Sequence, residues 1–158
     1  MLLRGLIEED FTQYEKPAMF LICPWCDFKC DKENGTQICQ NWNVTKEPLI
    51  DYDTDKLIQR YLGNPITKSI VFGGLEPIRS FDEVKCFIHK LRWEYSCFDT
   101  VVVYTGYNAD EIVDEVSCLS KYSNIVVKFG RFIPNQKPHY DPVLGVDLAS
   151  DNQYAEVL

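Results

Sequence analysis

Three closely spaced cysteines follow an apolar run that predicts a buried strand. The run is Ala18–Ile22, and the cysteines are Cys26, Cys30 and Cys39. Thiolates on one loop can converge on one place, and iron-sulfur clusters are held by such thiolates. A four-iron cluster with three cysteine ligands has one iron without a protein ligand, where chemistry can take place. The cysteine loop, residues 23–41, is therefore the segment that the rest of the chain must position.

Short apolar runs alternate with helical patterns along the remaining chain, which predicts a parallel α/β sheet. Beyond the first strand, we expect strands at residues 67–72, 100–105 and 124–129. In such sheets, ligands bind at the carboxyl ends of the strands. Here those ends carry the cysteine loop and three glycine-containing turns, namely Gly73-Gly74, Thr105-Gly106 and Gly130-Arg131. We therefore expect all four segments to meet at one rim.

Three helices are predicted between these strands, each from a capping residue and an apolar stripe. Thr54 is expected to cap a helix over residues 55–62. Ser80 and Glu83 have the capping-box spacing at the start of a second helix. Asn108 is expected to cap a third helix, whose buried stripe is Ile112, Val113, Val116 and Leu119.

The composition is that of a single globular domain over residues 1–158, with an extended segment at 131–158 that lacks a helical period. The net charge of -8 disfavours nucleic acid as a partner, because Lys and Arg dominate phosphate binding. No apolar run reaches the roughly 18 residues that span a membrane, and no signal-peptide core is present, so we expect a cytoplasmic protein without a membrane partner. In a reducing compartment, clustered cysteines are more often metal ligands than disulfides.

The cysteine loop makes the chain resemble the radical S-adenosylmethionine superfamily, and most closely the activating protein family of anaerobic ribonucleoside-triphosphate reductase. Cys26-x3-Cys30 has the first spacing of that family's motif, and Asn41 follows Cys39 by two residues, as is common in the family. The second spacer, residues 31–38, has eight residues where the family has two. We interpret it as an insertion in a loop, where added length costs little.

Three further segments resemble the family and occur in the family's order, so that the resemblance covers residues 19–153. Gly73-Gly74-Leu75-Glu76-Pro77 is similar to the family's Gly-Gly-Glu-Pro segment with one added residue. Val103-Tyr104-Thr105-Gly106-Tyr107 is similar to its Tyr-Thr-Gly-Tyr strand end. The stretches 129–133, 141–142 and 149–153 resemble its C-terminal Gly-Arg-Phe and Ser-Asn-Gln region.

The resemblance implies a single-domain, incomplete parallel (β/α) barrel of the radical S-adenosylmethionine type with an extended C-terminal segment. It implies that Cys26, Cys30 and Cys39 ligate a 4Fe-4S cluster whose fourth iron binds S-adenosylmethionine, and that reductive cleavage yields a 5'-deoxyadenosyl radical. The implied protein substrate is a glycyl-radical enzyme, and the implied electron donor is of flavodoxin or ferredoxin type. No catalytic residue beyond the cluster ligands is implied.

The resemblance also implies contacts to the cofactor from the strand ends. The methionine moiety would approach Gly73 and Gly74 closely, since glycine has no side chain. Glu76 would pair with its ammonium group. Thr105 and Tyr107 would line the ribose or adenine. Phe28 and Trp25 would shield the cluster or the adenine from water.

Other functions fit the same residues. Cys23-x2-Cys26 has a zinc-type spacing, and together with Cys30 and Cys39 it could form a closed, non-catalytic four-thiolate site. A relative that holds a cluster only for electron transfer or partner recognition is a second alternative. A third is a radical enzyme that modifies another protein, a peptide or a small molecule. A chain of 158 residues has little length left to enclose a small substrate, which favours a partner protein.

Overall fold

A six-stranded sheet forms the centre of the computed structural model, which describes residues 1–158. The sheet order is β10-β7-β6-β5-β3-β2, and two further pairs, β1 with β4 and β8 with β9, lie outside it. In chain order the strands are β1 (Leu2–Leu3), β2 (Gly5–Asp10), β3 (Ala18–Ile22), β4 (Ile50–Asp51), β5 (Ser69–Gly73), β6 (Thr100–Tyr104), β7 (Ile125–Phe129), β8 (His139–Asp141), β9 (Val146–Leu148) and β10 (Tyr154–Val157).

The four inner strands run parallel, and one row of side chains shows their register. Leu21 on β3 lies beside Phe72 on β5, which lies beside Val103 on β6, and Val103 lies beside Val127 on β7. The edge strands β2 and β10 pair antiparallel to this group. The strand positions predicted from the apolar runs are therefore confirmed to within two residues.

Both faces of the sheet are buried, so the inner strands are almost wholly apolar. On β5, Ile70 and Phe72 belong to a core of 20 buried residues, whereas Val71 between them belongs to a second core of 8. Three helices complete the larger core, namely α2 (Thr54–Gly63), α3 (Phe81–Trp93) and α4 (Val113–Leu119). A further helix in the cysteine loop, α1 (Lys29–Asn34), contributes no buried residue.

The expected extended segment at residues 131–158 contains three strands. β8 and β9 form a hairpin over the smaller core, and β10 extends the sheet beside β7. The buried carboxylate of Asp141 ties these parts together. It accepts hydrogen bonds from the backbone N–H groups of Val143 and Leu144 at 2.9 Å, and from that of Ala155 on β10 at 3.0 Å. The hairpin is thereby fixed next to the carboxyl ends of the parallel strands.

Three local predictions for the helices were wrong. The cap of α2 is Asp53, whose side chain accepts the N–H of Lys56 at 2.9 Å, and Thr54 is already helical. Ser80 precedes α3 without a side-chain cap, because its hydroxyl donates to the carbonyl of Pro77.

The expected partner of Ser80, Glu83, instead accepts the backbone N–H of Leu2 at 3.2 Å. Val113 was expected in the buried stripe of the third helix but is 62% exposed. A short 3-10 turn, Ala109–Glu111, precedes α4 and rotates the stripe so that Ile112 and Leu119 are the buried members.

The sheet is open at β2 and β10, and its inner strands alternate with helices. These features define an α/β fold with a mostly parallel sheet. The interpretation as an incomplete barrel stays a prediction. None of the helices is long and apolar enough to cross a membrane.

Candidate metal centre

A cavity of about 430 Å³ opens at the carboxyl ends of the inner strands. This volume is within the range of small-molecule sites. The walls come from the cysteine loop, from the turns after β5, β6 and β7, and from the C-terminal hairpin. The predicted meeting of these strand ends at one rim is therefore observed. The wall residues that could bind a ligand or take part in chemistry are Cys26, Cys30, Cys39, Asn41, Gly74, Glu76, Thr105, Gly106, Tyr107, Lys128, Gly130 and Arg131.

Three of the four clustered cysteines, Cys26, Cys30 and Cys39, line this cavity. The fourth, Cys23, is fully buried in the larger core, with its sulfur 4.0 Å from the carbonyl oxygen of Leu21. No group of three or more His, Cys, Asp or Glu side chains is placed to hold a single metal ion. In this structure Cys23 therefore does not join the other three cysteines at the cavity. A cluster makes a different demand, because each thiolate binds a separate iron and the sulfurs need not converge on one ion.

Burial and neighbouring charges disfavour the thiolate forms of two of these cysteines. Burial raises the pKa of Cys26 to about 11, although the N–H of Phe28 donates to its sulfur at 3.3 Å and opposes the shift. Burial, followed by the negative charge of Cys39, raises the pKa of Cys30 to about 12. A cationic iron centre relieves this penalty, since metal ligation displaces the thiol protons and neutralises the repelling charges. The donor set therefore fits an iron-sulfur cluster.

Glu76 is a buried carboxylate held in one position in the cavity wall. Its Oε1 accepts from the hydroxyl of Thr105 at 2.7 Å and from the N–H of Ile78 at 3.1 Å, and its Oε2 accepts from the N–H of Gly106 at 2.8 Å. Burial raises the pKa of Glu76, and these three hydrogen bonds oppose the shift. A carboxylate has about four acceptor positions, so one remains on Oε2 for a ligand. This geometry suits a cationic group in the cavity.

Only one of the two glycines in the turn after β5 lines the cavity. Gly74 lines the cavity with φ at +77°, and a Cβ atom there would lie 2.7 Å from Cγ2 of Ile22. Gly73 is the last residue of β5 and is absent from the cavity wall, and a Cβ atom there would lie 2.9 Å from the ring of Phe20. Both glycines are therefore required for close packing against β3, and Gly74 in addition lines the cavity.

Of the predicted aromatic contacts, one lies in the cavity. Tyr107 lines it and donates its hydroxyl to Oδ2 of Asp27 at 2.6 Å. Burial, followed by that hydrogen bond, raises the pKa of Tyr107 to about 12, so the phenol stays protonated at neutral pH. Phe28 and Trp25 are absent from the wall. Phe28 stacks on Trp42, the residue that follows the cysteine loop, with ring centroids 4.4 Å apart.

An ion-pair network joins α1 to the opposite side of the rim. Glu111 accepts from Lys29 of α1 at 2.5 Å and from Arg131 after β7 at 2.5 and 2.7 Å. Arg131 also lies 3.2 Å from a carboxylate oxygen of Glu33 on α1. The hydrogen bond from Arg131 holds the pKa of Glu111 at about 2, against a smaller opposing effect of burial, and Lys29 adds to the lowering. The network therefore stays charged at neutral pH and fastens the cysteine helix to the sheet.

Sequence reasoning missed Lys128, which is buried and lines the cavity. Its ammonium group donates to the carbonyl of Gly130 at 2.7 Å, and the amide of Gln153 donates to the same carbonyl at 3.3 Å. Burial lowers the pKa of Lys128 to about 8, with the charge of Glu76 acting in the opposite direction. A single lysine inside the apolar run of β7 was the available signal, because buried lysines are rare without a specific role.

A family model described as a 4Fe-4S single cluster domain matches residues 18–153. This range starts at the first residue of β3 and ends at Gln153 beside the cavity. It contains the cysteine loop and all four inner strands. The comparisons with curated proteins and with solved structures give no match.

Proposed function

Because the chain belongs to the 4Fe-4S single cluster domain family, we propose that it is a radical S-adenosylmethionine protein whose cluster is held by Cys26, Cys30 and Cys39. The observation that carries the proposal is the shared cavity. Three thiols, a fixed buried carboxylate and a glycine with its backbone exposed to the cavity lie together at the carboxyl ends of parallel strands. Parallel sheets bind their ligands at this edge.

The number of available cysteines supports an open iron. Cys26, Cys30 and Cys39 reach the cavity, while Cys23 is enclosed in the core and the other three cysteines lie outside the wall. Three thiolates satisfy three irons of a four-iron cluster, so the fourth is left for an external ligand. A bound and reduced cluster would supply one electron to the sulfonium of S-adenosylmethionine, and cleavage of its carbon-sulfur bond would give methionine and the 5'-deoxyadenosyl radical.

The protein's own contribution is to bind and orient the methionine end of that molecule. Glu76 is held by three hydrogen bonds and keeps one acceptor position for an ammonium group. Lys128 is a buried cation that can face a carboxylate. Gly74 allows close backbone approach. A zwitterionic amino acid group thus has a fixed counter-charge for each of its ends.

Thr105 and Tyr107 contribute mainly to the rigidity of this site. The hydroxyl of Thr105 donates to Glu76 at 2.7 Å and accepts the N–H of Tyr107 at 3.0 Å. The Tyr107 hydroxyl continues the chain to Asp27 in the cysteine loop. One hydrogen-bond chain therefore connects Glu76 to the segment that carries the cluster ligands. The position of the counter-charge and the position of the cluster are coupled through it.

A glycyl-radical enzyme is the partner that we propose, with a flavodoxin- or ferredoxin-type protein as electron donor. Within residues 1–158, the cavity that holds the three cysteines opens at the rim formed by the carboxyl ends of the inner strands. A radical generated at the rim is therefore best matched to a protein segment that docks there. This assignment makes the chain an activating enzyme.

The test is anaerobic turnover of S-adenosylmethionine by reconstituted, dithionite-reduced protein, with 5'-deoxyadenosine and methionine measured together. We expect both products from the wild type and from Cys86→Ala, which removes an exposed thiol on α3. We expect neither product from Cys39→Ala. Equal product from the wild type and Cys39→Ala, or a reconstituted wild type that forms no product, would contradict the proposal.

A further inference from the structure

We propose that Asp31 is a positioning residue that closes the eight-residue spacer between Cys30 and Cys39 and keeps a fixed negative charge beside the cluster. It would thereby set how firmly the cluster is held and how reducing it is. The inference rests on the cluster ligands of the proposed function and extends it to a residue that none of the motifs contains. It also gives the enlarged spacer a physical role.

The Asp31 carboxylate, at the start of the spacer, accepts hydrogen bonds from the residues at its end. Its Oδ1 accepts the backbone N–H groups of Ile38 and Cys39, both at 2.8 Å. Its Oδ2 accepts the indole N–H of Trp42 at 2.5 Å. One side chain next to Cys30 therefore fixes the backbone of Cys39 across the intervening residues. Hydrogen bonds to an ionised acceptor are stronger than those between neutral groups, which suits this role.

The path of the spacer explains why one side chain can reach so far. The chain continues from Asp31 in α1 to Asn34 and then reverses at Gly35, which has φ at +68°. A left-handed glycine of this kind ends helices without strain. No Cβ contact would form at Gly35, so the reversal is free of packing constraints. The chain after this reversal then brings Ile38 and Cys39 beside the carboxylate of Asp31.

An aromatic stack holds the third hydrogen-bond donor in place. Trp42 lies on Phe28 with ring planes 10° apart and centroids 4.4 Å apart. Phe28 itself has φ at +53°, which is uncommon for a residue with a side chain. Its N–H donates to the sulfur of Cys26 at 3.3 Å. The loop is thus closed twice, once by the stack and once by Asp31.

The surroundings of the sulfurs are unequal. The Cys26 sulfur receives a backbone N–H, whereas the Cys30 sulfur lies 3.8 Å from Oδ1 of Asp31. The N–H of Cys39 is engaged by Asp31 and is not free to donate to a sulfur. Hydrogen bonds to sulfur and net charge set the potentials of iron-sulfur sites. A nearby carboxylate and a withheld N–H both oppose the addition of an electron, so Asp31 lowers the reduction potential.

Two substitutions separate position from charge. Asp31→Asn keeps a carbonyl oxygen that can accept the two backbone N–H groups, but it removes the charge and the acceptor for the indole N–H of Trp42. Asp31→Ala removes the charge and all of these acceptors. The control is Asp82→Asn, which removes one carboxylate from a side chain that is 96% exposed on α3. Circular dichroism and thermal melts identify any variant that fails to fold.

The readouts are the reduction potential of the reconstituted cluster and the rate of iron loss to a chelator under anaerobic conditions. We expect a more positive potential in both Asp31 variants. We expect iron loss about tenfold faster in Asp31→Ala, since hydrogen bonds to a charged group are among the stronger ones, and a smaller change in Asp31→Asn. The control should match the wild type in both measurements.

The outcomes distinguish this inference from the function on which it rests. A wild-type protein that takes up no cluster would overturn the ligand assignment and this inference together. A wild type that takes up its cluster, together with Asp31 variants whose potential equals that of the wild type, would overturn this inference alone, whether or not the variants lose iron faster. A changed potential is the decisive readout, because a purely structural role in the loop predicts faster iron loss without it.

Discussion

The side-chain amide of Asn41 donates a 2.6 Å hydrogen bond to the backbone carbonyl of Gly74. This bond joins the end of the cysteine loop to the turn after β5, two segments that are 33 residues apart in sequence. Asn41 therefore couples the position of the third cluster ligand, Cys39, to the turn that is proposed to receive the methionine moiety.

Replacement of Asn41 by Asp is expected to weaken S-adenosylmethionine binding by about tenfold. The carboxylate has no N–H to donate to the Gly74 carbonyl, so the hydrogen bond is lost and two oxygens face each other. Affinity is measured on the reconstituted protein by equilibrium dialysis under anaerobic conditions. Asn43→Asp is the matched control, since Asn43 is an exposed residue in the same segment, and its side-chain oxygen accepts a hydrogen bond from Lys46. Equal losses in both variants would contradict the coupling.

Replacement of Gly74 by Ala is expected to lower the free energy of unfolding by about 2–4 kcal/mol. The left-handed backbone and the 2.7 Å approach to Ile22 each oppose a Cβ atom. Gly63→Ala is the control, because no atom lies within 4 Å of a Cβ at the end of α2, and it should raise stability by up to about 1 kcal/mol. Urea denaturation measures both. A Gly74→Ala protein as stable as the wild type would contradict the close approach of this turn to β3.

Lys128 is expected to make the protein more stable as the pH rises from about 8 to about 10. Burial lowers the pKa of Lys128 to about 8 in the folded protein, while an unfolded lysine titrates near 10.4. Between these values the unfolded chain binds more protons, so the free energy of unfolding rises with pH. Lys128→Met should remove this rise, because its side chain has similar length and no charge.

The Lys128 measurement is a comparison of urea denaturation at several pH values in the wild type and in Lys128→Met. The difference between the two proteins isolates Lys128 from the buried tyrosines, which titrate at higher pH. Lys90→Met serves as the control, since its ammonium is paired with Asp55 and its pKa is raised by that hydrogen bond. A rise that persists in Lys128→Met would assign the pH dependence to another group.

The central sheet was predictable because its strands are apolar on both faces. The run Ile125–Phe129 is bounded by polar and glycine residues, and its apolar side chains are typical of a strand buried on both faces of a sheet. Parallel alternation then placed the strand ends at one rim. This placed the cysteine loop and Thr105 at a common rim, whereas the roles expected of Glu76 and Thr105 came from the resemblance to a known family, and no distances could be predicted.

The missed features depend on contacts between residues that are distant in sequence. Glu83 was expected to complete a capping box but bonds to the N–H of Leu2, a neighbour created by the pairing of β1 with β4. The strands β8 to β10 have three or four residues each, which is too short for a period to be recognised. Asp31 lies in the short polar helix α1, and nothing in its local sequence marks a carboxylate that accepts from donors 7, 8 and 11 residues further along the chain.

The most direct test of the central claim is electron paramagnetic resonance of the dithionite-reduced protein, before and after addition of S-adenosylmethionine, together with iron and sulfide analysis. We expect about four irons per chain and a spectrum that shifts on addition, because one iron lacks a protein ligand. The same spectrum in the presence and absence of S-adenosylmethionine, or zinc bound without a paramagnetic signal after reconstitution, would contradict an open iron at this site.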